Sequence, residues 1–222
     1  MATSATSATQ RALIFTGGQL GDWSISLIQD SDYLIGADRG AFYLVQHGFR
    51  PHLALGDFDS IDARQFKQVQ DASEECQAYD PIDKDWTDTE LAIREAIKRG
   101  FKKIKIVGGL GTRFDHSLAN VQLLAIADAE GCDASLCDEN NEISLLSGPG
   151  SRDIEISDRY PVVSLLPMTP VASGITLDGF QYPLNEATLR TGMSLGVSNL
   201  LAEPSGTIHL REGRLLVIRC RD

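Results

Sequence analysis

The sequence has little positive charge, few aromatic side chains and no long apolar run. Its 222 residues include 20 Lys and Arg against 31 Asp and Glu, which gives a formal net charge of −11. Such an acidic surface repels nucleic acid and anionic lipid, because phosphate groups need clustered positive charge. No apolar run approaches the roughly 20 residues that span a bilayer. We therefore expect a globular protein that binds neither nucleic acid nor membrane.

Cysteine is also scarce, and the four cysteines show no C-x-x-C spacing. In a chain of this length, that pattern predicts reduced thiols and a cytoplasmic location rather than a disulfide framework or a cysteine metal site. Residues 1–10 lack both the basic start and the apolar stretch of a signal peptide. We interpret residues 1–10 as a flexible N-terminal tail.

Short apolar runs that end in glycine and aspartate predict a parallel-sheet α/β domain over residues 11–140. Four such runs lead into the segments Thr16–Gly18, Gly36–Gly40, Gly56–Ser60 and Gly108–Gly111. Their alternation with helical periodicity is typical of βαβ units around a parallel sheet. Ligands of open α/β sheets bind at the carboxyl ends of the strands, where all four segments are expected to lie.

Apolar periodicity predicts two helices in this domain. The first begins near Asp85 to Thr87 and ends at Gly100, a residue type that commonly follows the last helical turn. The second begins near Asp115 and ends before Gly131. Its apolar positions are Leu118, Ala119, Leu123 and Ile126.

From about residue 140 the pattern changes to short strand-like runs. These runs are Ile143–Leu146, Ile154–Ile156, Val162–Leu166, Ile175–Leu177, Thr207–Leu210 and Leu215–Ile218. Helical periodicity is weak here, so residues 141–222 are predicted to form a β-sandwich domain. The segment Leu210–Leu215 is typical of a hairpin turn.

Two aspartates separated by one residue, Asp57 and Asp59, follow the third apolar run. Neighbouring carboxylates repel each other unless a cation lies between them or one of them is protonated. Oxygen ligands favour Mg²⁺, which is usually held by one or two carboxylates together with substrate phosphates. The alternative is a solvated turn with a local side-chain hydrogen bond.

Five acidic residues surround Lys84 between residues 80 and 90. Part of this cluster fits a capping box, formed by Thr87 with Glu90. Acidic residues in the first turn of a helix are also favoured by the helix dipole. A metal and phosphate site is the other interpretation, with carboxylates on the cation and Lys84 on a phosphate oxygen.

Closely spaced glycines from Gly108 to Gly111 precede Arg113, Asp115 and His116. Glycines let the backbone approach a ligand, and an arginine can bind phosphate with two hydrogen bonds. The segment is neither G-x-G-x-x-G nor a Walker A sequence. The alternative is a strand-to-helix turn with Asp115 as N-cap and His116 as a structural group.

Five segments occur in an order that resembles the thiamine pyrophosphokinase family. They are Ala37–Ala41, Gly56–Ser60, Asp85–Asp88, Gly108–His116 and Gly196–Asn199. The resemblance runs from about residue 12 to the C-terminus. It implies an α/β domain followed by a β-sandwich, and a homodimer with active sites between subunits. It also implies a Mg²⁺-dependent reaction that transfers the pyrophosphoryl group of ATP to the hydroxyl of thiamine and gives thiamine diphosphate and AMP.

The resemblance also implies roles for individual residues. Asp57, Asp59 and Asp88 would hold Mg²⁺, with the further acids Asp38 and Asp85 beside them. The residues expected near the phosphates and substrates are Lys84, Gly109, Gly111, Arg113 and Asp115, with either Asp59 or Asp115 as the proton acceptor. Ser198 and Asn199 would line the thiamine site, and Tyr182 is the candidate for stacking on the thiamine ring.

This sequence departs from the family pattern at three places. Arg39 and Thr112 stand where glycine is common, and Leu200-Leu201 stands where an acidic or aromatic residue is frequent. Three other functions remain open. A pyrophosphokinase for another heterocyclic alcohol, such as a hydroxymethyl pterin, would use the same chemistry. A dehalogenase-type phosphatase also has a D-x-D loop, although normally after its first strand. An acidic nucleotide sensor would bind ATP without consuming it.

Overall fold

The structure is a computed structural model that describes residues 10–79, 85–111 and 113–221. Lys84 and Thr112 therefore lie outside the described residues. The chain divides into two compact units, residues 1–139 and residues 140–222.

The first unit is built on a parallel sheet, as the sequence predicts. Its strands are β1 (Arg11–Phe15), β2 (Tyr33–Ala37), β3 (Leu53–Gly56), β4 (Glu75–Ala78), β5 (Lys103–Val107) and β6 (Asp133–Cys137). The order across the sheet is β6-β5-β1-β2-β3-β4, and the pairings are parallel. The chain moves outward from β1 to β4 and then returns to the other side of β1. The point at which the strand order reverses therefore lies between β1 and β5, and ligands of such sheets bind in the crevice at this point.

Helices connect these strands. They are α1 (Asp22–Ile25), α2 (Arg39–Gln46), α3 (Ala63–Ala72), α4 (Asp88–Lys98) and α5 (Phe114–Ala129). The side chain of Thr87 accepts a hydrogen bond from the backbone N–H of Glu90, which places the start of α4 where the sequence predicts it. Among the described residues, no helix combines the length and apolarity that crossing a membrane requires.

The predicted apolar face of α5 is wrong in phase. Leu118 is 47% exposed, whereas Val121, Leu124 and Ala127 are buried. Apolar residues occur nearly all around α5, so periodicity alone does not distinguish the face that packs on the sheet from the face that is exposed.

The second unit contains two antiparallel sheets, which confirms the predicted β-sandwich. One sheet has the order β12-β9-β14-β7 and the other β11-β10-β13-β8. The strands are β7 (Asn141–Ser147), β8 (Gly150–Glu155), β9 (Val162–Pro167), β10 (Val171–Asp178), β11 (Ala187–Arg190), β12 (Asn199–Leu200), β13 (Ser205–Leu210) and β14 (Arg214–Cys220). One buried apolar cluster takes side chains from both sheets, including Leu165, Ile175 and Val217.

The predicted hairpin at Leu210–Leu215 is wrong. β13 pairs with β8 and β10, whereas β14 pairs with β7 and β9, so this turn carries the chain from one sheet to the other. Gly213 has φ +92°, and a Cβ there would lie 2.6 Å from the carbonyl oxygen of Val171. The sequence correctly predicted a turn at Gly213, but a turn reverses the chain without determining whether the two strands that it joins pair with each other.

Candidate active site

Two glycine-containing loops meet at the carboxyl ends of β1 and β5. The backbone N–H of Gly18 donates a hydrogen bond to the carbonyl oxygen of Gly108 at 2.9 Å. A Cβ on Gly18 would lie 2.0 Å from that oxygen, and Gly108 has φ +76°. Only glycine therefore fits at both positions, since any side chain would force the two backbones apart.

A cavity of about 390 Å³ opens beside these loops in the first unit. Its lining residues are Thr16, Gly17, Gly18, Gln19, Arg39, Thr89, Gly108, Gly109, Leu110, Gly111, Arg113, His116, Ser117 and Asn120. Within the part of the chain that the structure describes, this lining contains no acidic residue, although the whole chain has a net charge of −11. The volume is in the range of small-molecule sites, and the backbone amides and basic side chains suit an anionic ligand.

The segment before α5 combines a loop contact with an exposed ion pair. The Ser117 hydroxyl lies 3.1 Å from the backbone N–H of Gly111, which donates to it. Arg113 donates to Asp115, with Nη2 and Oδ2 2.5 Å apart. This hydrogen bond lowers the pKa of Asp115 and raises the pKa of Arg113. The N-cap of α5 is Arg113 without a side-chain cap, so Asp115 is not the N-cap that the alternative interpretation of this segment expected.

Three carboxylates gather at the carboxyl ends of β2 and β3. Asp38, Asp57 and Asp59 each present an oxygen within 4.8 Å of the other two. Ser60 donates a hydrogen bond to Oδ2 of Asp38 at 2.6 Å, whereas Oδ1 of Asp38 is buried and, among the described residues, has no partner. A partly buried carboxylate with two further carboxylates nearby is stable only beside a cation or a proton. The site therefore fits a hard divalent cation such as Mg²⁺.

Strained backbone accompanies this acidic cluster. Asp38 has φ 51° and Phe58, between the two loop aspartates, has φ 57°. Positive φ outside glycine costs on the order of 1–3 kcal/mol and persists only where the surroundings enforce it. Phe58 is 6% exposed and packs on Phe66 with ring centroids 4.8 Å apart, which anchors the loop. The Asp57 side chain also accepts the N–H of Asp59 at 3.2 Å, so the local turn hydrogen bond and the acidic cluster coexist.

Asp88 lies near the cluster but is not one of these three residues. It is the first residue of α4, and a Cβ on Gly56 would lie 3.2 Å from its Oδ1 and 3.2 Å from the backbone nitrogen of Asp38. Asp85 is exposed before the N-cap of α4. Geometry thus brings Asp38 to Asp57 and Asp59, while the expected role of Asp88 as a ligand stays a prediction.

The acidic cluster and the cavity share one corner. A Cβ on Gly17 would lie 3.5 Å from Cβ of Arg39 and 3.8 Å from Oδ2 of Asp38. Asp38 belongs to the acidic cluster, and the next residue, Arg39, lines the cavity. A ligand that fills the cavity and extends past Gly17 would therefore reach the carboxylates.

The second unit holds the residues expected at the thiamine site. Asn199 is 8% exposed, and its amide clamps the backbone of Tyr182: Oδ1 accepts from the Tyr182 N–H at 3.0 Å, and Nδ2 donates to its carbonyl oxygen at 2.8 Å. Ser198 is exposed with φ 62°, and the Tyr182 side chain is 59% exposed. Asn199 is thus committed to holding Tyr182, while Ser198 and Tyr182 are accessible to a ligand.

Comparison with known proteins assigns both units. Family models match residues 25–136, as "Thiamin pyrophosphokinase, catalytic domain", and residues 152–215, as "Thiamin pyrophosphokinase, vitamin B1 binding domain". The curated "Thiamine pyrophosphokinase" of Bacillus subtilis (strain 168) is 35% identical over 188 residues, which are 85% of this chain and 87% of that protein. The chain belongs to the thiamin pyrophosphokinase family. The acidic cluster lies in the first matched range, and Tyr182, Ser198 and Asn199 lie in the second.

Solved structures of this family share the fold. The crystal structure of thiamine pyrophosphokinase from Bacillus subtilis has a TM-score of 0.86 at 31% identity and covers 96% of this chain and all of its own, 100%. That of Geobacillus thermodenitrificans has a TM-score of 0.83 at 32% identity, with 96% and 98% covered. Thiamin pyrophosphokinase from Candida albicans has a TM-score of 0.78 at 16% identity, with 96% and 89% covered, which shows the fold alone.

Two parts of this candidate site had no role assigned from the sequence. Thr16–Gly18 was expected at the ligand-binding edge of the sheet but had no role of its own. Arg39 was noted as a departure from the family pattern within the segment Ala37–Ala41. Both line the cavity because β1 lies between β5 and β2. The reversal of strand order was the signal that could have found them, but it requires knowing which strands are neighbours.

Proposed function

We propose that this enzyme transfers the pyrophosphoryl group of ATP to the hydroxyl of thiamine, giving thiamine diphosphate and AMP, with the cytoplasm as its location. Family membership supports the reaction class. The observation that carries the site assignment is Oδ1 of Asp38, which is buried beside Asp57 and Asp59 and has no hydrogen-bond partner among the described residues. The neighbouring cavity has no acidic residue in its described lining. This pairing suits a nucleotide whose phosphates reach a cation.

The proposed path of ATP follows from the shared corner at Gly17. The nucleoside occupies the cavity between the loops after β1 and β5, and the phosphates extend past Arg39 towards the three carboxylates. Bound Mg²⁺ supplies charge neutralisation and orientation of the phosphates. Asp38, Asp57 and Asp59 would hold it, with Asp88 adjacent. Phosphoryl transfer depends mainly on such positioning, which fits a site made of backbone amides and fixed charges.

In the proposed reaction the thiamine hydroxyl oxygen bonds to the β-phosphorus of ATP. The bond from that phosphorus to the oxygen bridging to the α-phosphate breaks, and its electron pair leaves on AMP. The hydroxyl proton needs an acceptor, for which Asp59 and Asp115 were the candidates. The ion pair with Arg113 lowers the pKa of Asp115, which makes Asp115 a weaker base than an ordinary aspartate. Asp59, which belongs to the acidic cluster, is the other candidate.

The proposed acceptor site uses the second unit of a partner chain in a homodimer. The exposed apolar side chains of this unit support burial against another surface; they include Tyr182, Met193, Leu195, Val197 and Leu200. Mixing inactive Asp57→Asn protein with inactive Ser198→Tyr protein should restore activity through hybrid dimers that contain one intact site. No recovery after confirmed subunit exchange would place each site within one chain.

The decisive assay incubates the protein with thiamine, ATP and Mg²⁺ and follows AMP and thiamine diphosphate. Stoichiometric formation of both products supports the proposal. Release of inorganic phosphate without AMP would indicate a phosphatase, and binding of ATP without turnover would indicate a sensor. Faster turnover with a hydroxymethyl pterin than with thiamine would overturn the proposed acceptor.

A further inference from the structure

Arg39 occupies a distinctive position in the first unit. It is the first residue of α2, its side chain is exposed, and it lines the cavity next to Gly17. The preceding residue, Asp38, contributes to the acidic cluster. A Cβ on Gly17 would lie 3.5 Å from Cβ of Arg39 and 3.8 Å from Oδ2 of Asp38, so Arg39 lies between the cavity and the carboxylates of the acidic cluster.

The charge of Arg39 is not neutralised in the way that the charge of Arg113 is. Arg113, the other arginine of the cavity, forms an ion pair with Asp115, with the closest nitrogen and oxygen 2.5 Å apart. Arg39 has no carboxylate partner within residues 10–79, 85–111 and 113–221. Because the described lining of the cavity contains no acidic residue, Arg39 is the described arginine of the cavity that is available to an anion.

We propose that Arg39 binds the α-phosphate of the nucleotide, the phosphate that remains on AMP, and so discriminates nucleotides from nucleosides. The assignment rests on the proposed function, because the orientation of ATP follows from it. A nucleoside in the cavity and a pyrophosphoryl group at the carboxylates leave the α-phosphate at the corner between them, where Arg39 stands. Guanidinium groups bind phosphate oxygens by charge-assisted hydrogen bonds, often in pairs.

The same contact would contribute to the reaction. When the bond between the β-phosphorus and the bridging oxygen breaks, negative charge grows on that oxygen of the departing AMP. A guanidinium already at the α-phosphate stabilises this charge without rearranging. Arg39 would thereby affect both nucleotide affinity and turnover.

The test compares equilibrium binding of AMP and adenosine, measured calorimetrically without thiamine or metal. Arg39→Ala should weaken AMP binding about 10-fold and change adenosine binding less than about 2-fold, since one charge-assisted contact to phosphate is lost. Arg39→Lys should lie between wild type and Arg39→Ala, because it keeps the charge and loses the paired geometry. The matched control is Arg64→Ala, an exposed arginine in the first turn of α3 that does not line the cavity.

The outcomes separate this inference from the proposed function. Unchanged AMP binding in Arg39→Ala, no measurable AMP binding by wild type, or equal weakening of AMP and adenosine would each overturn the role of Arg39. The last result would show that Arg39 only shapes the cavity. Failure of wild type to convert ATP and thiamine into AMP and thiamine diphosphate would overturn the proposed function instead.

Discussion

Neutralising one carboxylate of the acidic cluster tests whether these side chains serve a cation rather than the fold. Asp38→Asn preserves the size and shape of the side chain, and its amide oxygen can still accept the hydrogen bond from Ser60. The amide nitrogen would take the place of the buried Oδ1, which has no hydrogen-bond partner among the described residues. The substitution therefore changes the charge of the site and little else.

The expected magnitude follows from the distances. Asp38, Asp57 and Asp59 lie within 4.8 Å of one another, and two unit charges at that separation repel by about 1 kcal/mol in a water-like dielectric. Removing one charge relieves two such pairs, so without Mg²⁺ the variant should be more stable by about 1–2 kcal/mol. In a chain of this size, that corresponds to a rise in Tm of about 2–8 °C. With ATP, thiamine and Mg²⁺, turnover should fall at least ~100-fold, a loss of about 2.7 kcal/mol of transition-state stabilisation.

Thermal unfolding with and without Mg²⁺, at constant ionic strength, measures the first effect, and steady-state kinetics measures the second. Mg²⁺ should raise the Tm of wild type more than that of Asp38→Asn. Asp30→Asn, at an exposed position outside the cluster, is the control for the change in net charge. Near-normal turnover of Asp38→Asn, or a variant less stable than wild type without metal, would refute the reasoning.

Three further predictions concern other parts of the structure. Arg113→Ala should raise the pKa of Asp115 towards its ordinary value, as measured by NMR titration. The ion pair lowers this pKa in the folded protein, so it contributes stability that is lost as the pH falls through the pKa of the folded state. An unchanged titration would mean that the pair is absent in solution. Asn199→Ala should raise the KM for thiamine several-fold more than the KM for ATP, since Tyr182 loses both backbone hydrogen bonds, and equal changes in the two KM values would argue against a local role. Gly40→Ala should lower the free energy of unfolding by about 1–3 kcal/mol in denaturant, because the new Cβ would lie 2.1 Å from the carbonyl oxygen of Phe15 at the end of β1. An unchanged free energy of unfolding would show that α2 can move away from the sheet.

The sequence predicted the fold where local signals agree with the final packing. The apolar runs that became β1 and β5 end in glycine, so both the strands and their carboxyl ends could be recognised. The start of α4 could be recognised because Thr87 is a good N-cap, and its side chain accepts a hydrogen bond from the N–H of Glu90. The short strands β4 and β6 were missed because neither has a long apolar run.

The candidate site was predicted as separate motifs, and only the tertiary structure decided how they combine. The spacing identified Asp57 and Asp59, and the family resemblance named Asp38 as an acid beside them. The physical reason is tertiary, because Asp38 follows the neighbouring strand and joins the pair through the pairing of β2 with β3. Likewise, Arg39 and the loop after β1 line one cavity because β1 lies beside β2. Local sequence determines residue type, turn and strand end, since these depend on neighbours along the chain. Which carboxylates approach within a few ångströms depends on strand order, which long-range packing alone determines.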